Sequence, residues 1–153
     1  MSELKPFAGK LAELVGAQSP AGRRKLAAEI AKELRKSQQQ RIKLQKAPDG
    51  TPYQARKRQP LRSKSGRIKR AMFQKLRTSR YVKASGRYDA AVLEFSGKVR
   101  RIARVHQYGL KDRPNPNSHV VQYELRPLLG FNEDSKQLVE NVILAMLMKN
   151  SFY

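Results

Sequence analysis

The chain has no cysteine and no tryptophan, only two histidines, and only 12 acidic residues against 33 basic ones in 153. Without cysteine there are no disulfides, thiolate zinc sites or cysteine nucleophiles. With His106 and His119 as its only histidines, the chain offers little for metal chelation or acid–base relay. The acids are scattered. No HExxH, GxSxG, P-loop or paired-carboxylate motif spacing occurs, and the carboxylates are not grouped as a metal-dependent nuclease needs. The expectation is a non-enzymatic protein without cofactor or metal. No apolar N-terminal run follows a basic region, so a signal peptide is not expected. Val142–Met148 is the longest apolar run of the C-terminal half. It is far shorter than the roughly 20 residues a membrane helix needs, so a soluble protein is expected.

What the chain does have is positive charge, a net +21. The surplus is concentrated. Residues 41–83 carry fifteen basic groups and one acid, whereas residues 132–153 carry two basic groups and three acids. Such a stretch repels itself and attracts polyanions, either phosphates or acidic protein surfaces. Tyr53, Phe73 and Tyr81 are interleaved with it. The candidate contact residues are Arg56, Lys57, Arg58, Arg62, Lys64, Arg67, Lys69 and Arg70. No RNP pattern, zinc finger or homeodomain signature accompanies them, so any nucleic-acid contact would be sequence-independent and salt-sensitive.

Hydrophobic spacing predicts an α+β fold, a small antiparallel sheet packed with a long C-terminal helix and preceded by N-terminal amphipathic helices. Leu4, Phe7, Leu11, Leu14 and Val15 mark a first helix ending near Gly16. Ser19-Pro20 is a helix start, serine as N-cap and proline at the first turn. Leu26, Ile30, Leu34 and Ile42 then continue one stripe to about Lys46. Pro48-Asp49-Gly50 is a turn, in which Asp49 caps locally and Gly50 accepts positive φ. Residues 51–65 read as a mobile basic loop. Ile68, Met72, Phe73 and Leu76 predict a further helix over Arg67–Thr78. Tyr81–Ala84 and Tyr88–Phe95 alternate as strands about a Ser85-Gly86-Arg87 turn. Arg100–Tyr108 fits a short helix closed by Gly109, residues 111–118 a loop, and Val120–Leu125 a strand. In the last helix, Asp134 and Gln137 form a capping-box pattern, and Leu138, Val139, Val142, Ile143, Met146 and Leu147 are the expected buried face. The division this gives is a helical segment over 1–46, a basic loop over 47–66 and an α+β core over 67–153.

Four stretches in order carry a family resemblance: Pro48-Asp-Gly-Thr-Pro-Tyr53 ahead of the basic segment, Arg101-Ile-Ala-Arg-Val-His-Gln-Tyr-Gly-Leu110, Arg126-Pro-Leu-Leu-Gly-Phe131, and the acidic-start terminal helix. Together, from about Gln38 to Leu147, they resemble the phage virion morphogenesis family. The resemblance implies a structural protein that completes the tail, either as a tail terminator or in head–tail joining at the neck. It further implies a homo-hexameric ring at the head-proximal end, with tail tube, sheath or neck proteins as partners. The place of action would be the virion tail, after assembly in the host cytoplasm. Non-specific contact with DNA in the channel is compatible with this reading, and no membrane is involved. The motif residues Asp49, Gly50, His106, Gln107, Tyr108, Gly109, Arg126 and Pro127 are expected to be structural, with Arg126 available for a carboxylate and His106 hydrogen-bonding at a helix end. The competing reading is a stand-alone basic nucleic-acid-binding protein that contacts phosphates without reading sequence.

Overall fold

A computed structural model describes residues 4–57 and 71–151. Among these the element order is α1 (Leu4–Gly16), α2 (Pro20–Lys43), β1 (Val82–Gly86), β2 (Ala91–Phe95), α3 (Arg100–Tyr108), β3 (Lys111–Asp112), β4 (Val121–Gln122) and α4 (Glu133–Ser151). β1 pairs with β2 in one two-stranded sheet and β3 with β4 in another. The α+β expectation therefore holds. No helix among the described residues is long and apolar enough to cross a membrane.

The chain forms two compact units, each assembled from non-contiguous stretches. Unit 1 comprises residues 1–37, 83–94 and 131–153. Here Ser19 caps α2 as its sequence predicts, its Oγ accepting the Gly22 N–H at 3.0 Å. Leu26, Ala27 and Ala31 of α2 are buried, as is Leu11 of α1. Gly86 closes β1 against the backbone of α2, so closely that a Cβ there would lie 2.2 Å from the Ala28 nitrogen. A side chain cannot be accommodated at such a contact, which is why glycine ends this strand. The hairpin turn falls later than the expected Ser85–Arg87, since the Arg87 N–H bonds the Ala90 carbonyl at 2.8 Å.

α4 packs against α1. Its N-cap is Asn132, whose Oδ1 accepts both the Ser135 N–H at 2.8 Å and the Ser135 hydroxyl at 2.9 Å. The start signal predicted at Asp134 thus sits two residues too late, and Glu133 and Asp134 instead occupy the first turn, where they favour the helix dipole. The face expected to be buried is only half-buried along its whole length, Leu138, Val139, Val142, Ile143, Met146 and Leu147 included.

Unit 2 comprises residues 38–82 and 95–130. Ile42, Val82 and Leu128 are fully buried within it. α2 ends at Lys43 rather than Lys46, because Gln45 adopts φ +59 and reverses the chain. The helix expected over 67–78 is absent where it can be followed: residues 71–80 form turns. Phe73 has φ +66, which a right-handed helix cannot contain. Both backbone groups of Met72 are also taken by the Gln45 side chain. The predicted strand Val120–Leu125 shrinks to Val121–Gln122, paired antiparallel with Lys111–Asp112. Beyond it the Tyr123 N–H donates to Leu110 O, just ahead of β3, and only then does the backbone turn to α3, the Arg126 N–H donating to His106 O.

Candidate functional site

Three glutamines organise unit 2. Each uses its side-chain amide as a peptide group would be used in a sheet, donating and accepting at once. Gln38, almost completely buried at 4% exposure, donates Nε2 to the Gly130 carbonyl at 3.0 Å and accepts the Gly130 N–H at 3.2 Å. Gln45 donates to Met72 O at 2.9 Å and accepts Met72 N–H at 2.8 Å. Gln107 donates to Leu129 O at 2.8 Å and accepts the N–H groups of Leu128 and Leu129, both at 2.9 Å. Buried backbone must find partners. These amides supply them to segments 72 and 128–130, which lie in no strand.

Two cations complete the frame. Arg41 donates to Lys46 O at 2.9 Å, to Leu128 O at 2.6 Å and also to Gln38 Oε1. Burial pushes its pKa down, and Tyr53 partly offsets this. Burial likewise pushes the Tyr53 phenol up, with Arg41 opposing. The Tyr53 hydroxyl donates to Pro127 O at 2.7 Å. Arg126, expected to be available for a carboxylate, is itself buried and donates Nε to Gln54 O at 2.9 Å and Nη2 to Ala55 O at 3.3 Å. Burial lowers its pKa, the charge of Glu124 favours its cation and that of Arg56 opposes it. Its guanidinium is therefore spent on holding the chain just before Arg56.

The turn residues do local work. Asp49 Oδ1 accepts the Thr51 N–H at 2.9 Å, and this bond lowers its pKa. Gly50 takes φ +87. His106 is flanked by Phe73 and Tyr123, with ring centroids 4.9 and 5.2 Å away. Burial, assisted by Arg126, lowers its pKa, so the ring is neutral at pH 7. Its Nδ1 is buried and has no hydrogen-bond partner. The ring therefore packs among aromatics, and it is the backbone carbonyl of His106 that hydrogen-bonds. Gly109 ends α3 in the left-handed region, φ 62 and ψ 54, which favours glycine. Tyr108 beside it is 65% exposed.

The candidate contact residues divide. Arg56 and Lys57 are exposed. Arg58, Arg62, Lys64, Arg67, Lys69 and Arg70 lie outside the described residues. The flanks of that stretch are close together, because the Tyr53 and Phe73 rings meet edge-on at 5.6 Å. Arg126 clamps the outgoing chain at Gln54–Ala55, and Gln45 clamps the returning chain at Met72. The described flanks of that stretch are thus both anchored in unit 2. By sequence, unit 2 holds 21 of the 33 basic residues and three of the 12 acids, a surplus of 18. The glutamine frame is not legible from the hydrophobic pattern of the sequence, because its partners are far apart in the chain. The one signal for it was Gln38, a polar residue in phase with the apolar stripe of α2.

Among the described residues no three His, Asp or Glu side chains group where they could hold a metal ion. In unit 1, an apolar groove of about 300 Å³ runs between α1 and α4, lined by Leu11, Val15, Phe131, Val139 and Ile143 with Lys136 and Glu140 at the side. Phe131 is 66% exposed.

The chain is thus an α+β protein with one near-neutral unit that bears an apolar groove and one strongly cationic unit. Comparison with known proteins gives the class a family. The phage virion morphogenesis family matches residues 2–148, and the chain belongs to it. It is 48% identical over 148 residues to the tail completion protein S of Escherichia phage P2, covering 96% of this chain and 99% of that protein. No solved structure matches.

Proposed function

We propose that this protein completes the phage tail as a structural component, acting in a ring at the head-proximal end, as tail terminator or neck component in head–tail joining. The observation that carries the reading is the 48% identity to a tail completion protein across almost the full length of both chains. The ring is homo-hexameric, a reading supported by the family resemblance. The partners are further copies of the chain and the tail tube, sheath or neck proteins. The place of action is the virion tail, after assembly in the host cytoplasm. The basic segment of unit 2 meets DNA in the channel or an acidic neighbour.

Copies meet, in this reading, at the α1–α4 groove. Its apolar lining stays accessible in the single chain, and α4 carries Glu133, Asp134 and Glu140 in an otherwise cationic protein, which draws it to the basic surface of another copy. A head-to-tail contact of two different surfaces closes into a ring when its rotation allows. Light scattering at rising concentration should show assembly above the monomer. Phe131→Ser, at an exposed position, should weaken assembly without lowering the melting temperature. A wild-type chain that stays monomeric both alone and on purified tails would count against the ring.

The stand-alone nucleic-acid-binding reading draws on the surplus of 18 charges in unit 2. It differs in expecting no defect in tails when the protein is missing.

A further inference from the structure

α3 carries a second cationic surface, outside the 41–83 stretch. Its inner side is Ala103 and Val105, both buried. Arg100, Arg101, Ile102, Arg104 and Tyr108 are exposed. Arg100, Arg104 and Tyr108 follow each other at i, i+4 and i+8, so they form one stripe, with Arg101 three residues before Arg104 on the adjoining side. The helix contains no acid. Asp112 bonds Arg101. Among the described residues no ion pair reaches Arg100 or Arg104. Lys98 before the helix, and Lys111 and Arg113 after it, are exposed as well.

The helix is firmly held. Gly109 closes it, Gln107 fastens it to segment 128–129 and the His106 ring sits between Phe73 and Tyr123. The cations are therefore displayed on an ordered support, and grouping them there disfavours the fold by self-repulsion.

We infer that the outer face of α3 is a binding site for the phosphate backbone of double-stranded DNA. Guanidinium forks match phosphate oxygens bidentately, and a tyrosine hydroxyl is a common phosphate donor. The stripe is two guanidinium groups and a phenol, and exposed Ile102, two residues from both Arg100 and Arg104, lies off it. The core of a protein–protein interface is depleted in charge, whereas protein–DNA interfaces are more polar and far more positive. These properties favour DNA over an acidic protein. Binding through phosphates alone reads no sequence, and it is independent of whether the protein completes a tail.

The test is fluorescence anisotropy of the full chain with a short labelled duplex of mixed sequence, across a salt series. Each phosphate contact adds about 0.9 to the slope of log affinity against log salt. Arg100→Gln with Arg104→Gln should therefore flatten the slope by about 1.8, with a melting temperature no lower than that of the wild type, because both side chains are exposed and their mutual repulsion is relieved. Arg100→Lys with Arg104→Lys keeps the charge and should keep most of the slope. Three results would overturn the inference: no duplex binding by the wild type at low salt, an unchanged slope in the folded glutamine variant, or binding to poly-glutamate that matches the duplex and is lost in that variant. None of these results bears on tail defects, so tail completion is judged separately.

Discussion

Gly86→Ala should destabilise the protein by about 3 kcal/mol or more, the upper range for overpacking a rigid contact. The added Cβ would lie 2.2 Å from Ala28 N, 2.6 Å from Ala28 Cα and 2.6 Å from Arg24 O. All three are backbone atoms of α2, so no side chain can rotate away. Either β1 must separate from α2 or the helix must bend. Leu26, Ala27 and Ala31, the buried residues of α2 in unit 1, lie beside this contact. For a chain of this length the loss corresponds to a melting temperature lower by roughly 6–12 °C. Gly97→Ala is the control, because a Cβ there meets nothing within 4 Å, and it should change little. Thermal unfolding followed by circular dichroism measures both. Equal melting temperatures for the two variants would refute the close approach of β1 and α2.

Gln107→Leu is expected to cost about 2–4 kcal/mol. The side chain satisfies three backbone groups, the N–H of Leu128, the N–H of Leu129 and the carbonyl of Leu129. An unsatisfied buried polar group costs about 1–3 kcal/mol. Leu128 is fully buried, so its N–H has no ready access to water, while half-buried Leu129 recovers part of its loss. Leucine has nearly the same size as glutamine, and the effect therefore isolates hydrogen bonding from cavity formation. Gln40, exposed on α2, gives the comparison: Gln40→Leu should shift the urea midpoint little. A lowered midpoint for Gln107→Leu with an unchanged m-value would locate the loss in the folded state. Coincident midpoints for the two leucine variants would remove the glutamine frame from the account.

Local signals in the sequence were read well where the physics is local. Ser19 capping α2, Asp49-Gly50 making a turn and Gly109 ending α3 each depend on residues within a few positions. The partners of the glutamine frame are distant: Gln38 and Gly130 are 92 residues apart and Gln45 and Met72 are 27 apart. Periodicity says nothing about such pairs. The same long-range demand explains the lost helix over 71–78, where an apolar stripe is overridden once Gln45 claims the backbone of Met72 and Phe73 takes a left-handed φ. On α4 the spacing located the helix but overstated its burial, since periodicity reports which face is apolar and not what covers it. The basic stretch was visible as composition. That its flanks are anchored together by Arg126, Gln45 and the Tyr53–Phe73 contact was not, because each bond again joins residues far apart in the chain.

Electron microscopy of lysates from phage lacking this protein tests the central claim most directly. Tail completion at the head-proximal end predicts filled heads and separate tails that fail to join, with joined particles restored when the chain is supplied in trans. Normal yields of joined, infectious particles in its absence would contradict it.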